Sequence, residues 1–233
     1  MPIAAVLFDL DGTLLDTLAD LAYSANRVLE SHGLPTHPEG AYRDFVGEGI
    51  RMLFFRALPE PHRTEAWISR CAEEFLAVYG RHWNVETRPY RGIPELLDAL
   101  SWRQLRLAIL SNKPHASTEQ CARALLPADR FEIVLGQRDG LPRKPDPAGA
   151  LEIAHRMGVS PSHFVYLGDS GTDMQTAVRA GMVPVGALWG FRGRDELLAH
   201  GARVLIQRPL DLIPVVDALR QPGGADAGCR SLQ

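Results

Sequence analysis

The 233-residue chain is poor in cysteine, with Cys71, Cys121 and Cys229 only. An odd number without a CxxC pair argues against a disulfide framework or a cysteine-based zinc site. The eight histidines form no HExxH or similar cluster, so each reads as a surface or core histidine. Net charge is low at −3, which leaves no broad basic field to attract nucleic acid or an anionic membrane. No apolar run approaches the ~20 residues of a membrane span. The opening MPIAAVLFDL lacks the basic start and the long apolar stretch of a secretory leader. No internal repeat is visible. These absences lead to the expectation of a globular cytoplasmic protein, monomer or homodimer, with no nucleic-acid or membrane partner. An anionic substrate would have to be gathered by a local arrangement.

What the chain does contain is a series of short runs rich in Val, Ile, Leu and Phe. They lie at 3–10, 105–110, 131–135, 164–167, 183–187 and 204–206. Patterned helical segments separate most of them. That alternation predicts an α/β fold with a Rossmann-like, doubly wound parallel sheet. Asp146-Pro147 places an N-cap before a proline at the first helical position. Ala150, Leu151, Ala154 and Met157 then share a face, and Gly158 stops the helix. Gly181 ends the helix carrying Met174, Ala177 and Val178 in the same way.

One stretch breaks the alternation. No strand pattern stands out between the first run and the one near Leu105, and structureless loops of that length are rare inside an α/β unit. A helix is expected over 16–32, with Leu18, Leu21, Ala25, Val28 and Leu29 on one face and Gly33 closing it. Thr36 and Glu39 have capping-box spacing and open another helix. A third runs through Trp67, Cys71, Phe75 and Val78. Residues 16–88 are therefore expected to form an inserted α-helical cap domain, with 1–15 and 89–220 forming the core. The chain returns to the core at Tyr90-Arg91-Gly92-Ile93-Pro94. The Gly- and Ala-rich end, 221–233, is expected to be disordered.

Four segments carry candidate chemistry, and ligands of a doubly wound sheet bind beyond the carboxyl ends of its strands. The first is Phe8-Asp9-Leu10-Asp11-Gly12-Thr13. Asp9 and Asp11 are two apart, so both can face one side of an extended chain, and Gly12 lets the chain turn away. Two close carboxylates need a cation or a division of roles. The second is Leu110-Ser111-Asn112-Lys113, whose hydroxyl and backbone N–H groups can donate to a phosphoryl oxygen. The third is Arg143-Lys144-Pro145-Asp146, where Lys144 can neutralise an anion. The fourth is Gly168-Asp169-Ser170-Gly171-Thr172-Asp173. Its two carboxylates suit a hard cation such as magnesium, although Asp173 alone also suits a helix start. Taken singly, each segment has a plainer reading as a turn, a solvated lysine or a cap.

In this order, FDLDGT, LSNK, KPDP and GDSGTD resemble the four motifs of the haloacid dehalogenase superfamily. The helical insert resembles that superfamily's cap. The resemblance implies a magnesium-dependent phosphatase in which Asp9 attacks phosphorus and Asp11 serves as general acid and base. It implies metal ligation by the Asp9 carboxylate, the Asp11 backbone carbonyl and Asp169, with Asp173 a ligand directly or through water. It also implies that Ser111 and Lys144 bind the phosphoryl group, with Lys144 offsetting the charge on Asp9. Thr13 supports the first loop, and it is grouped with Asn112 among the substrate-binding candidates.

Within the superfamily the chain looks most like phosphoglycolate phosphatases, through Phe45-Val46-Gly47-Glu48-Gly49, Ser111-Asn112-Lys113-Pro114 and Gly168-Asp169-Ser170 with Asp173. Leu188-Trp189-Gly190-Phe191-Arg192 fits more loosely. A small phosphorylated metabolite is thus the expected partner. If the cap closes over the core, backbone N–H groups at the helix start after Gly47-Glu48-Gly49 can receive a substrate carboxylate, with Arg51 or Arg43 adding a charge-assisted bond; the same segment also reads as a plain helix–helix turn. Glu48 opposes an anion there unless it points away. A phosphosugar mutase or pyrophosphatase would carry the same motifs. A receiver-type signalling domain combines similar residues, but its phosphorylated Asp lies on a later strand and it has no such insert. A catalytically silent relative finds no support, because no required side chain is missing.

Overall fold

The computed structural model describes residues 3–221. The expected disorder of 221–233 therefore falls, Gln221 apart, outside the described residues. The described residues form two compact units: Leu15–Arg88, and the described residues on either side of it. Strand β1 (Ala5–Phe8) is buried along its whole length, as an all-apolar strand covered on both faces must be.

The helical unit comprises β2 (Leu15–Asp16), α1 (Leu18–Ser31), α2 (Tyr42–Phe45), α3 (Ile50–Ala57) and α4 (Glu65–His82). Strand β3 (Arg88–Pro89) pairs with β2, a short sheet too brief to show in the sequence pattern. Helix α1 buries the expected Leu18, Leu21, Ala25, Val28 and Leu29. Helix α4 buries Ile68, Cys71, Phe75 and Tyr79, while Trp67 and Val78 are half-buried. The Thr36–Glu39 capping box does not form. Pro38, extended at ψ 148°, precedes a single 3-10 turn over Glu39–Ala41, which has no side-chain cap. Proline at 38 disfavours the helical conformation at 37, so no helix starts from Thr36. The sequence reading also passed over Asp20. Its buried carboxylate accepts from the backbone N–H of Glu86 (3.1 Å) and Thr87 (2.9 Å) and from the Thr87 hydroxyl (2.7 Å).

After the insert come α5 (Ile93–Trp102), β4 (Arg106–Pro114), α6 (His115–Leu125), β5 (Phe131–Gln137), α7 (Ala148–Met157), β6 (Phe164–Gly168) and α8 (Gly171–Ala180). The chain then adds β7 (Val183–Ala187), α9 (Arg194–Ala199), β8 (Val204–Ile206) and α10 (Leu212–Arg220). The sheet order is β5-β4-β1-β6-β7-β8 and every pairing is parallel. This is the doubly wound α/β sheet that the alternating pattern implies. Ala5, Leu7, Ala108, Leu110, Ile133 and Leu135 of the sheet pack against Ala150, Ile153, Ala154 and Met157 of α7. Gly158 and Gly181 end α7 and α8 in the left-handed conformation. Helix α7 starts one residue later than the Asp146-Pro147 pattern suggests, though the Asp146 carboxylate still accepts from Ala148 N–H at 2.8 Å.

The strand order positions the site. Successive connections run from β1 to one side through β4 and β5, and then to the other through β6, β7 and β8. The switch point therefore lies at β1, where Phe8 is in register with both Ile109 and Leu167. Ligand crevices of open α/β sheets form at this place.

Candidate active site

Beyond the carboxyl end of β1, the Lys144 ammonium donates to Asp9 Oδ1 at 2.7 Å, to Asp173 Oδ1 at 2.7 Å and to the Leu110 carbonyl at 3.1 Å. An ammonium has three protons, and each has an acceptor here. One carboxylate oxygen each of Asp9, Asp169 and Asp173 lies within 4.8 Å of the others, and all three residues are buried. Asp169 is held from two sides, by the Thr13 hydroxyl at 2.9 Å and by Phe191 N–H at 2.7 Å. Asp173 is the N3 member of a capping box on α8. Its Oδ2 accepts from Ser170 N–H (3.1 Å) and the Ser170 hydroxyl (2.5 Å), and Ser170 Oγ accepts from Asp173 N–H. The residue thus caps a helix with one oxygen and meets Lys144 with the other. The Tyr166 hydroxyl adds a bond to Asp173 Oδ1 at 3.2 Å.

Electrostatics follow from burial and crowding. Asp9 is pushed well above the usual carboxylate range by burial and by Asp173, with Lys144 opposing and Asp169 adding to the rise. Asp169 is raised to about 7 by burial and Asp173, against the pull of Phe191 N–H, the Thr13 hydroxyl and Lys144. Burial disfavours the Lys144 ammonium, but Asp173 and Asp9 together outweigh it and keep the group charged. Three carboxylates against one ammonium leave a formal charge of −2 when all are ionised. The all-oxygen donor set and this residual charge both fit a hard divalent cation.

Asp11 lies beside this cluster, and Lys113 Nζ donates to both of its carboxylate oxygens, at 3.1 and 3.2 Å. Ser111 is buried, and its Oγ accepts from Lys113 N–H at 3.2 Å. Asn112 spends its amide on the Lys144 backbone: Nδ2 donates to the Lys144 carbonyl at 3.1 Å, and Oδ1 accepts from Lys144 N–H at 2.9 Å. Its observed task is to hold the Lys144 loop. Thr13 is buried, with its hydroxyl on Asp169. The site thus brings together Asp9, Asp11, Thr13, Ser111, Asn112, Lys144, Asp169 and Asp173.

Gly47, Gly49 and Arg51 belong to the helical unit. Gly47 and Gly49 both have positive φ, 105° and 91°, and Gly49 precedes α3. The Arg51 guanidinium is engaged by Glu65 and by Ser69 Oγ. Glu48 pairs with Arg56.

Four supporting groups have no role assigned by the sequence: Lys113, Tyr166, Trp189 and Phe191. Tyr166 carries the one polar side chain in β6, whose sequence is FVYLG, and a buried tyrosine hydroxyl generally requires a partner. Trp189, whose indole N–H donates to the Thr13 carbonyl at 3.0 Å, and Phe191 lie in the loop after β7. Gly190 in that loop was the available signal: a Cβ there would lie 2.3 Å from Asp169 Cβ and 2.4 Å from the Gly12 carbonyl.

Fold and site together define an α/β enzyme with acids and lysines gathered at the carboxyl ends of parallel strands. Residues 6–187 match the model of the haloacid dehalogenase-like hydrolases, and the chain belongs to that family. It is 34% identical over 222 residues to an N-acetylmuramic acid 6-phosphate phosphatase of Pseudomonas aeruginosa, covering 93% of this chain and 96% of the relative. It is 35% identical over 213 residues to a phosphoglycolate phosphatase of Xanthomonas campestris pv. campestris, covering 89% and 94%. A solved structure from Lactobacillus delbrueckii subsp. bulgaricus, provisionally a phosphoglycolate phosphatase, superimposes with a TM-score of 0.87 at 30% identity. That match covers 93% of this chain and 99% of the other.

Proposed function

We propose that the protein is a magnesium-dependent phosphomonoesterase acting through an aspartyl phosphate on Asp9. The observation that carries this reading is the Lys144 ammonium, buried and shared at 2.7 Å between Asp9 and Asp173. It offsets charge on a carboxylate that must approach an anionic phosphoryl group. Asp9 attacks phosphorus, and the P–O bond to the substrate alcohol breaks. Asp11 gives its proton to the departing oxygen. It then takes a proton from the water that attacks the aspartyl phosphate, which releases inorganic phosphate and restores the Asp9 carboxylate. Ser111 holds a phosphoryl oxygen. Asp9, the Asp11 backbone carbonyl and Asp169 would hold magnesium, with Asp173 ligating directly or through water. Bound magnesium would neutralise charge on the phosphoryl group and on Asp9.

Both named relatives act on phosphate esters that are also acids. This supports a small phosphomonoester bearing a carboxylate, such as 2-phosphoglycolate, as the substrate class. Gly47 and Gly49 before α3 are the proposed carboxylate receivers, with Glu48 drawn off by Arg56. Arg51 or Arg43 would add a charged bond. Phosphate release from 2-phosphoglycolate, N-acetylmuramic acid 6-phosphate, pyrophosphate and hexose phosphates, with magnesium, tests the reading. Preferential release from the two acids supports it. Isomerised hexose phosphate without free phosphate would instead identify a mutase. Unchanged activity on phosphoglycolate in both Arg51→Ala and Arg43→Ala would remove the arginine part.

A further inference from the structure

Lys113 stands outside the roles assigned so far, yet it is nearly as enclosed as Lys144, with its side chain 5% exposed. It comes from the end of β4, which runs past the last residue of β1 to Pro114. β4 lies directly beside β1. That overhang brings the ammonium against Asp11, 102 residues away in sequence, at 3.1 and 3.2 Å from its two oxygens. Each lysine thus serves a different member of the Asp9/Asp11 pair: Lys144 holds Asp9, and Lys113 holds Asp11.

We propose that Lys113 is a positioning residue for leaving-group protonation, orienting Asp11 and stabilising the carboxylate that forms as its proton departs. The inference rests on the phosphatase reading above. When Asp11 passes its proton to the bridging oxygen, the P–O bond breaks, the alcohol leaves neutral and Asp11 becomes an anion. Relative to the protonated Asp11 from which the step starts, the ammonium already in contact meets that new charge without reorganisation, so its stabilisation is larger in the transition state than in that protonated complex. The benefit depends on how much the leaving oxygen needs a proton. An alkoxide needs it badly, whereas a nitrophenolate leaves unaided.

The test is kcat/KM of wild type, Asp11→Asn, Lys113→Met and the double variant, with magnesium, on an alkyl phosphate and on 4-nitrophenyl phosphate. Lys113→Met is expected to lose about 10²-fold on the alkyl ester and far less on the aryl ester. The double variant should be no slower than Asp11→Asn. Lys113→Arg, which keeps the charge but misplaces the contact, should fall between Lys113→Met and wild type on the alkyl ester. Should Lys113→Met fail to fold, the arginine variant decides alone by the same selectivity. Equal losses on both esters, no loss, or losses that multiply in the double variant would overturn the inference. No phosphate release from any ester by wild type would instead overturn the phosphatase reading beneath it.

Discussion

Asp169 is fenced by glycine. A Cβ on Gly12 would stand 2.3 Å from Asp169 Oδ2, and one on Gly190 would stand 2.3 Å from Asp169 Cβ. Gly12 also has φ +88°, a conformation that side chains strain. Gly190→Ala should therefore displace Asp169, costing about 1–3 kcal/mol of stability and weakening magnesium affinity. Chemical denaturation and a metal titration check the two effects. The raised pKa of Asp169 sets a second expectation. The group titrates at about 7 when folded and near 3.8 as its ordinary value. Without a cation, the folded state keeps a proton that the unfolded chain releases between those values. Asp169 therefore subtracts increasing stability as pH rises through that window, and the loss is complete above about 7. In chelator, the stability of wild type minus that of Asp169→Asn should fall as pH is raised through the upper part of this window, where ordinary carboxylates are already ionised. A flat difference would show that the carboxylate ionises without penalty. Lys144, held charged by two carboxylates, does not contribute a slope there.

Elements set these side chains in place, and some of that was legible beforehand. Fully buried parallel strands must be continuous apolar runs, so β1 and β6 stand out in the sequence, and Asp9 and Asp169 could be placed just past their ends. The partners were not legible. The Lys113–Asp11 and Asn112–Lys144 contacts join residues 102 and 32 apart. Both depend on which strand lies beside which and on how far β4 overhangs. Hydrophobic pattern fixes neither. The expected capping box at Thr36 failed for a local reason, the backbone of Pro38. Asn112→Ala removes both side-chain bonds to a buried loop backbone. It should cost about 1–3 kcal/mol and lower kcat by letting Lys144 drift from Asp9, which urea melts and steady-state kinetics would register. Asp20→Ala strips the acceptor from the Glu86 and Thr87 N–H groups. It should destabilise the helical unit by a similar amount, visible as faster amide exchange at those two residues.

Across the whole molecule, the electrostatic account requires a cation to favour the folded state. A ligand that binds only that state raises stability by RT ln(1 + [L]/Kd), roughly 2.7 kcal/mol at a hundredfold excess over Kd. Magnesium should therefore raise the melting temperature of wild type and have little effect on Asp169→Asn. The proposed chemistry goes further: the Asp9 carboxylate, at the switch point of the sheet, would become phosphorylated during turnover. Acid-quenching wild type during steady turnover, followed by borohydride reduction and peptide mass analysis, reads this directly. Homoserine is expected at position 9 and nowhere else, with neither homoserine nor phosphate release in Asp9→Asn. Phosphate release by wild type with an unmodified Asp9, or a modified acid at another position, would contradict it.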